Sequence, residues 1–376
     1  MLNVRSAFLA VTAIGIASVV ATGMVRRDGA SWRAAMQAPG ATSQTGSIQT
    51  PAPEPVPVAA LNFDAAVADA TTLPRLRSLL VAVDGQLIVE RYFGGAAAGR
   101  TTNIKSVSKS IIATLVGIAI DRGAIPNVRE PIGRYFPQYL AKDPVKSAIT
   151  IEDLITMRSG LETTSNRNYG RWVLSGNWVR HALEQPMIDV PGGRMIYSTG
   201  STHLLSAIVT RATGTSTLAF ARSVLGEPLD MQIAPWIRDP QGIYLGGNEM
   251  AMRPRDMLRI GELYLNNGRH GARQVVSEAW VRTSMEPRTV SRWSEREYGY
   301  GWWIRTLAGH PVFYAWGYGG QFIFIVPSTR TVIVTTSVSE PGTERREHLG
   351  AIYDLVERHV IPVAATAFPQ VPMSVD

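Results

Sequence analysis

Ser106-Val107-Ser108-Lys109 opens the apolar stretch SVSKSIIATLVGIA, which runs to Ala119, and the reading of those four residues decides the fold. Three residues are nearly one helical turn, so in a helix from Ser106 to Ala119 the serine and the lysine project from the same face. The hydroxyl then lies at the positive end of the helix dipole, beside an amine that burial can hold neutral. A serine needs such help, because its free hydroxyl is a weak nucleophile near neutral pH. The run also reads as a polar first turn capping a core helix. Two facts favour chemistry. The chain has four lysines against thirty-three arginines, and the stretch behind Lys109 is almost wholly apolar.

With 376 residues, the chain can bury a sizeable core. Its net charge of +7 comes from scattered arginine, which suits an anionic surface or a merely soluble basic one and forms no concentrated nucleic-acid patch. The absence of cysteine excludes a disulfide framework, a thiolate metal site and attachment of lipid to a cysteine. Six histidines occur, none in a His-Glu-x-x-His pattern, so a metallohydrolase is disfavoured and no metal or cofactor is expected.

At the N-terminus, Ala7 to Val25 is a near-continuous apolar run followed by Arg26-Arg27. It reads as a secretory signal or an uncleaved anchor, long enough to cross a bilayer. Residues 26–60 read as a spacer, rich in Ala and Pro from Ala38 onward, and residues 61–376 as the folded domain. The expectation is export, with a periplasmic or membrane-anchored domain outside the cytoplasm.

Within that domain, Ser78 to Val83 and Leu87 to Tyr92 flank Asp84-Gly85-Gln86, a hairpin signal. Thr150-Ile151-Glu152-Asp153 matches a capping box for a helix stopping at Ser159-Gly160. Further helices are expected from Ser201 to Ala212, Pro254 to Asn266 and Arg345 to His359. Late strands are expected at Gly301 to Thr306, Val312 to Tyr318, Phe322 to Val326 and Val332 to Ser337. A hairpin, a helix, a helical insertion, more strands and a last helix make an α+β fold, an antiparallel sheet flanked by helices with an inserted all-helical subdomain. Alternating βαβ units and a Gly-x-Ser-x-Gly elbow are both absent.

These stretches together resemble the serine β-lactamase and penicillin-binding-protein superfamily, closest to its class C-like relatives of the esterase and 6-aminohexanoate-dimer hydrolase type. The resemblance rests on Glu90-Arg91-Tyr92-Phe93, Ser106-Val107-Ser108-Lys109, the run from Ile149 to Leu161, Tyr197-Ser198-Thr199-Gly200, Arg255-Asp256-Met257 and Gly317-Tyr318-Gly319-Gly320-Gln321, in that order. It implies a β-lactamase/transpeptidase-like fold with Ser106 as acylated nucleophile, Lys109 as its amine partner and Tyr197 as proton shuttle. A tyrosine beside a cationic lysine would have its pKa lowered. Thr199 stands where the family commonly has Asn or Ser. The glycine element is matched by Tyr318-Gly319-Gly320 or, in another register, by Trp316-Gly317; either way the family's lysine is missing, which favours a less anionic ester or amide over β-lactams. The resemblance further implies an oxyanion hole from the backbone N–H groups of Ser106 and Gln321.

Trp316, Tyr318 and, from the helical part, Trp178 are the aromatic candidates for facing substrate, with Gly319 and Gly320 beside them. Ser108 is a candidate for a second hydrogen bond near Lys109, Lys105 reads as a bystander, and His203 reads as structural. Two classes of function stay open. One is a serine hydrolase acting on a small ester or amide, with β-lactamase or cell-wall peptidase activity as its variant. The other is a tethered binding or sensing domain that acylates weakly. No nucleic-acid partner is expected, and the membrane is met only through the N-terminal segment.

Overall fold

The computed structural model describes residues 54–369, so the Ala7–Val25 run and most of the spacer lie outside the described residues. Strands β1 (Leu76–Val83) and β2 (Gln86–Tyr92) form the expected hairpin. Its two-residue turn places both Asp84 (φ 48°) and Gly85 (φ 75°) in the left-handed region, the geometry that matches strand twist and that Asp-Gly tolerates. Next come β3 (Thr102–Asn103), β4 (Ala251–Met252) and the small β5 (Arg269–His270) and β6 (Arg273–Gln274) pair. The late strands are β7 (Thr289–Val290), β8 (Glu297–Tyr298), β9 (Trp303–Leu307), β10 (His310–Gly317), β11 (Gln321–Val326) and β12 (Thr331–Ser337).

Eight of these form one sheet in the order β2-β1-β12-β11-β10-β9-β8-β7, with every pair antiparallel. β11 and β12 are buried at every residue, because both faces are covered. On one face Phe322, Phe324 and Ile333 join a core cluster with Phe63, Ile352 and Ile361 from the N- and C-terminal helices. On the other lie the Ser108–Asp121 and Pro254–Leu265 helices. A Cβ at Gly261 would stand 2.3 Å from Val332, so the second helix reaches β12 only through a glycine. The edge strand β7 and its neighbour β8, two residues each, were not legible in the sequence. Neither was the Asp64–Thr72 helix, which precedes the hairpin.

Between β3 and β4 runs the helical insertion. The capping box forms: Thr150 and Asp153 satisfy each other's backbone N–H groups. The helix it starts, Ile151–Ile155, is shorter than expected and ends before Met157, which takes a left-handed φ of 60°. The Thr199–Thr213 helix closes on Gly214 at φ 69°, as a C-terminal glycine should. No helix among the described residues is long and apolar enough to cross a membrane.

Candidate active site

The expected single helix at Ser106 divides in two. Lys105–Val107 forms a tight 3₁₀ turn, and the α-helix follows from Ser108 to Asp121. Lys105 takes a left-handed φ of 50°, a conformation disfavoured for a side chain of this kind. Its surroundings hold it there. Its N–H donates to Asn103 Oδ1 at 2.9 Å, and its amine meets Glu249 Oε1 at 3.3 Å. Asn103 Nδ2 in turn donates to Glu249 Oε2 at 2.5 Å, joining β3 to the start of β4. Lys105 therefore braces the turn that presents Ser106. Ser108 makes no bond to Lys109; its hydroxyl donates to the Lys105 carbonyl at 2.6 Å, closing the same turn.

Ser106 remains partly accessible while Lys109, one turn on, is only 3 % exposed. Lys109 Nζ lies 3.1 Å from Ser106 Oγ, 3.2 Å from Thr199 Oγ1 and 2.7 Å from the Gly247 carbonyl. No carboxylate pairs with it among the described residues. Burial alone pushes its pKa down from 10.5 to about 7. A neutral amine has two N–H groups and one lone pair. With the N–H groups on Gly247 and Thr199, the lone pair is left for the Ser106 hydroxyl.

Tyr197 completes the cluster. Its hydroxyl lies beside Ser106, and Lys109 Nζ lies 4.9 Å from the centre of its ring. The expectation of a lowered tyrosine pKa is overturned. Burial raises it from 10.0 to about 12, only partly offset by the neighbouring Ser106 hydroxyl, so the phenol keeps its proton at neutral pH. With its pKa lowered to about 7, the amine is only about half protonated at neutral pH and offers a phenolate less than a full ammonium would.

Thr199 is the first residue of its helix. Its N–H donates to Ser165 Oγ at 2.8 Å and its hydroxyl meets the same oxygen at 3.0 Å. It faces Lys109 as a fixed partner, and Ser165 was not anticipated. Gly247 was not anticipated either. A Cβ at Gly246 would stand 2.1 Å from the Thr202 carbonyl, and one at Gly247 would stand 3.0 Å from Lys109 Cγ. This pair of glycines is wedged between the helix and the lysine. His203 holds the wedge: its Nδ1 accepts from Gly246 N–H at 3.4 Å, and its Nε2 meets Asp239 Oδ2 at 3.1 Å, both side chains fully buried.

β10 forms the opposite wall. It pairs with β9 only as far as Tyr314, so Ala315, Trp316 and Gly317 leave that ladder with a free edge. Gly317 lies against the serine turn: a Cβ there would stand 2.3 Å from the Ile104 carbonyl.

The Beta-lactamase family profile matches residues 75–357, most of the chain. The chain belongs to the β-lactamase family. It is 27 % identical over 298 residues to the 6-aminohexanoate-dimer hydrolase of Paenarthrobacter ureafaciens, covering 73 % of this chain and 75 % of that one. A Bacillus anthracis structure described as a 6-aminohexanoate-dimer hydrolase superposes with a TM-score of 0.66 at 21 % identity, covering 79 % of this chain and 81 % of that one. The octameric penicillin-binding protein homologue from Pyrococcus abyssi gives 0.61 at 18 % identity, over 78 % and 75 %. The fold is that of the serine β-lactamases and penicillin-binding proteins, and the chain is a hydrolase of that family.

Of the candidate glycines, Gly317 is the one that packs on the serine turn. Gly319 and Gly320 pack against other segments than the serine turn. A Cβ at Gly319 would meet the Val338 carbonyl at 2.5 Å, and one at Gly320 would meet Ile352 at 2.7 Å. Gln321 opens β11 in register with Gly317 and is fully buried, its side-chain amide exchanging hydrogen bonds with the backbone of Ser337. Its side chain serves the sheet. Tyr318, at the hairpin tip, is 39 % exposed, and the Arg345 guanidinium stands 4.5 Å from the centre of its ring. Among the described residues no acceptor takes its backbone N–H. Trp316 is half-buried, packed against Trp303 and Phe322. Trp178 does not reach the site: it is buried in the helical insertion against Trp172 and His203, its indole N–H donating to the Val173 carbonyl at 3.0 Å.

Proposed function

We propose that the chain is a serine acyl hydrolase that cleaves a small ester or amide through an acyl-enzyme on Ser106. The observation that carries this reading is Lys109: a buried amine without a carboxylate partner, pinned by Gly247 and Thr199, with Ser106 Oγ at 3.1 Å. As the neutral base, Lys109 takes the Ser106 proton while Oγ attacks the substrate carbonyl. The resulting oxyanion is met by the backbone N–H groups of Ser106 and, in place of Gln321, Tyr318. Loss of one such donor costs about 3–4 kcal/mol of transition-state stabilisation. Collapse breaks the bond to the leaving alcohol or amine, which takes its proton from the Tyr197 hydroxyl, and the tyrosine is reprotonated from Lys109. Water then attacks the acyl-enzyme, giving up its proton along the same route, and the acid and free serine are released.

The missing strand lysine favours esters and open-chain amides over β-lactams. The 27 % identity to a 6-aminohexanoate-dimer hydrolase supports the same preference. The experiment is steady-state hydrolysis of a 4-nitrophenyl ester and a short linear amide by the wild type, Ser106→Ala and Tyr197→Phe. Loss of turnover in the first variant, and a fall of about 10²-fold or more in the second, is expected. Undiminished turnover in Ser106→Ala would overturn the reading, and acylation without turnover would favour the binding or sensing role.

A further inference from the structure

We propose that His348 is a positioning residue for the oxyanion hole: through the Ser337 hydroxyl and the Gly320 carbonyl it fixes the turn that aims the Tyr318 N–H. The inference rests on the acyl-hydrolase reading of Ser106 and names a residue, remote from the serine turn, on which that chemistry depends. The turn joins β10 to β11 through Tyr318-Gly319-Gly320. Gly319 (φ 91°) and Gly320 (φ 112°) both take conformations that a side chain would rarely allow. Glycine permits this shape but does not enforce it, so contacts from outside must hold the turn.

The Gly317 carbonyl and the Tyr318 N–H belong to one planar peptide and point in opposite directions. The Gly320 N–H donates to that carbonyl at 3.3 Å, so the place of Gly320 sets the direction of the Tyr318 N–H. Gly320 is anchored by its own carbonyl, which accepts from Thr335 Oγ1 at 3.0 Å and from Ser337 Oγ at 3.2 Å, both on β12. Ser337 Oγ in turn lies 2.9 Å from His348 Nε2, on the Arg345–Leu355 helix. A Cβ at Gly320 would stand 2.8 Å from Ser337 Oγ and 3.2 Å from His348 Nε2, so the turn packs directly on this pair.

The direction of the chain follows from its chemistry. A hydroxyl that gives its one proton to Gly320 has only lone pairs left for His348. The imidazole therefore donates, through Nε2–H, and Nδ1 carries the bare lone pair; Nδ1 is buried and has no partner among the described residues. Burial, with Arg75 and Arg77 nearby, lowers the ring's pKa from 6.5 to about 4, so it stays neutral and keeps this tautomer at neutral pH. Arg345 lies one helical turn before His348, on the same face, and stands over the Tyr318 ring. One helix thus holds both ends of the turn. The Arg345 contact is at the surface, whereas His348 and Ser337 are 5 % and 3 % exposed, and hydrogen bonds in so dry a place are the firmer hold.

The test compares the full-length wild type with His348→Leu, which removes the donor, and His348→Gln, whose amide N–H can replace it. With 4-nitrophenyl hexanoate, kcat/KM should fall about 30-fold in His348→Leu, short of the 10²–10³-fold that follows outright removal of an oxyanion donor. Hexyl trifluoromethyl ketone, whose serine adduct carries the oxyanion, should lose affinity by a similar factor. Hexanamide, bound without an oxyanion, should change by less than about twofold as a competitive inhibitor. His348→Gln should recover most of both losses. A kcat/KM close to the wild type in His348→Leu, equal losses for the two inhibitors, or no recovery in His348→Gln overturns the proposal. Should His348→Leu not fold, Ser337→Ala breaks the same chain and must show the same split between the inhibitors. Failure of the wild type to turn over the ester or to bind the ketone would instead count against the acyl-hydrolase reading. Hydrogen exchange over residues 317–321 then decides: faster exchange in His348→Leu, restored in His348→Gln, supports the hold on the turn, and unchanged exchange overturns it.

Discussion

Replacing Lys109 by methionine should abolish turnover and make the protein more stable at neutral pH. The drop in the amine's pKa from 10.5 to about 7, at about 1.36 kcal/mol per pH unit, means that burial costs roughly 5 kcal/mol relative to a solvated ammonium. The unfolded chain binds this proton more tightly than the folded protein, so it carries more protons between about pH 7 and 10.5. Wild-type stability therefore rises with pH across that window, and the full cost remains below about pH 7. Methionine has a similar length and no charge, so it escapes the cost. It leaves the Gly247 carbonyl without its donor, at about 1–3 kcal/mol for a buried group, while the Thr199 hydroxyl keeps Ser165. The net gain at pH 7 is then about 1–3 kcal/mol, and it shrinks by about 2 kcal/mol by pH 9 as the wild type recovers. Paired urea melts of both proteins at the two pH values measure this directly. A Lys109→Met protein less stable than the wild type at pH 7, by an amount that does not change at pH 9, would refute the reasoning: the amine would not be the desolvated base that the geometry describes.

The same amine sets the rate profile, because a base acts only when unprotonated. Stopped assays should show kcat/KM falling about tenfold per pH unit below about pH 7 and flat from pH 8 to 10, since Tyr197 loses its proton only near 12. Gly317→Ala places a Cβ 2.3 Å from the Ile104 carbonyl and must push β10 off the serine turn; activity should fall at least tenfold and the melting temperature by several degrees, read by calorimetry beside the assay. Asp239→Ala removes the partner of His203 and so loosens Gly246-Gly247. It should cost about 1–3 kcal/mol and shift the acidic limb of the pH–rate profile, a displacement that plain destabilisation would not produce.

The parts of this fold written in local chemistry were legible. Asp84-Gly85 could only be a tight turn, Thr150 and Asp153 a capping box, and the three-residue spacing of Ser106 and Lys109 a shared helical face. What escaped depends on distant packing. Gly247 reaches Lys109 across 138 residues, and no local pattern marks its carbonyl as the amine's partner. The glycines at 317, 319 and 320 read alike in sequence, and only the Ile104 carbonyl beside Gly317 separates the one on the serine turn from the two that pack elsewhere. Trp178 looked available, but His203 and Trp172 enclose it. The Tyr197 expectation failed on charge. It assumed a cationic lysine, and burial depth, which sets that charge, is a property of the whole fold.

The central claim is that Ser106 is an activated nucleophile. Intact-mass spectrometry of the full-length protein after exposure to a fluorophosphonate probe, beside Ser106→Ala, tests it most directly. The account predicts one covalent adduct on the wild type and none on the variant. Equal labelling of both proteins, or labelling of neither, would contradict it.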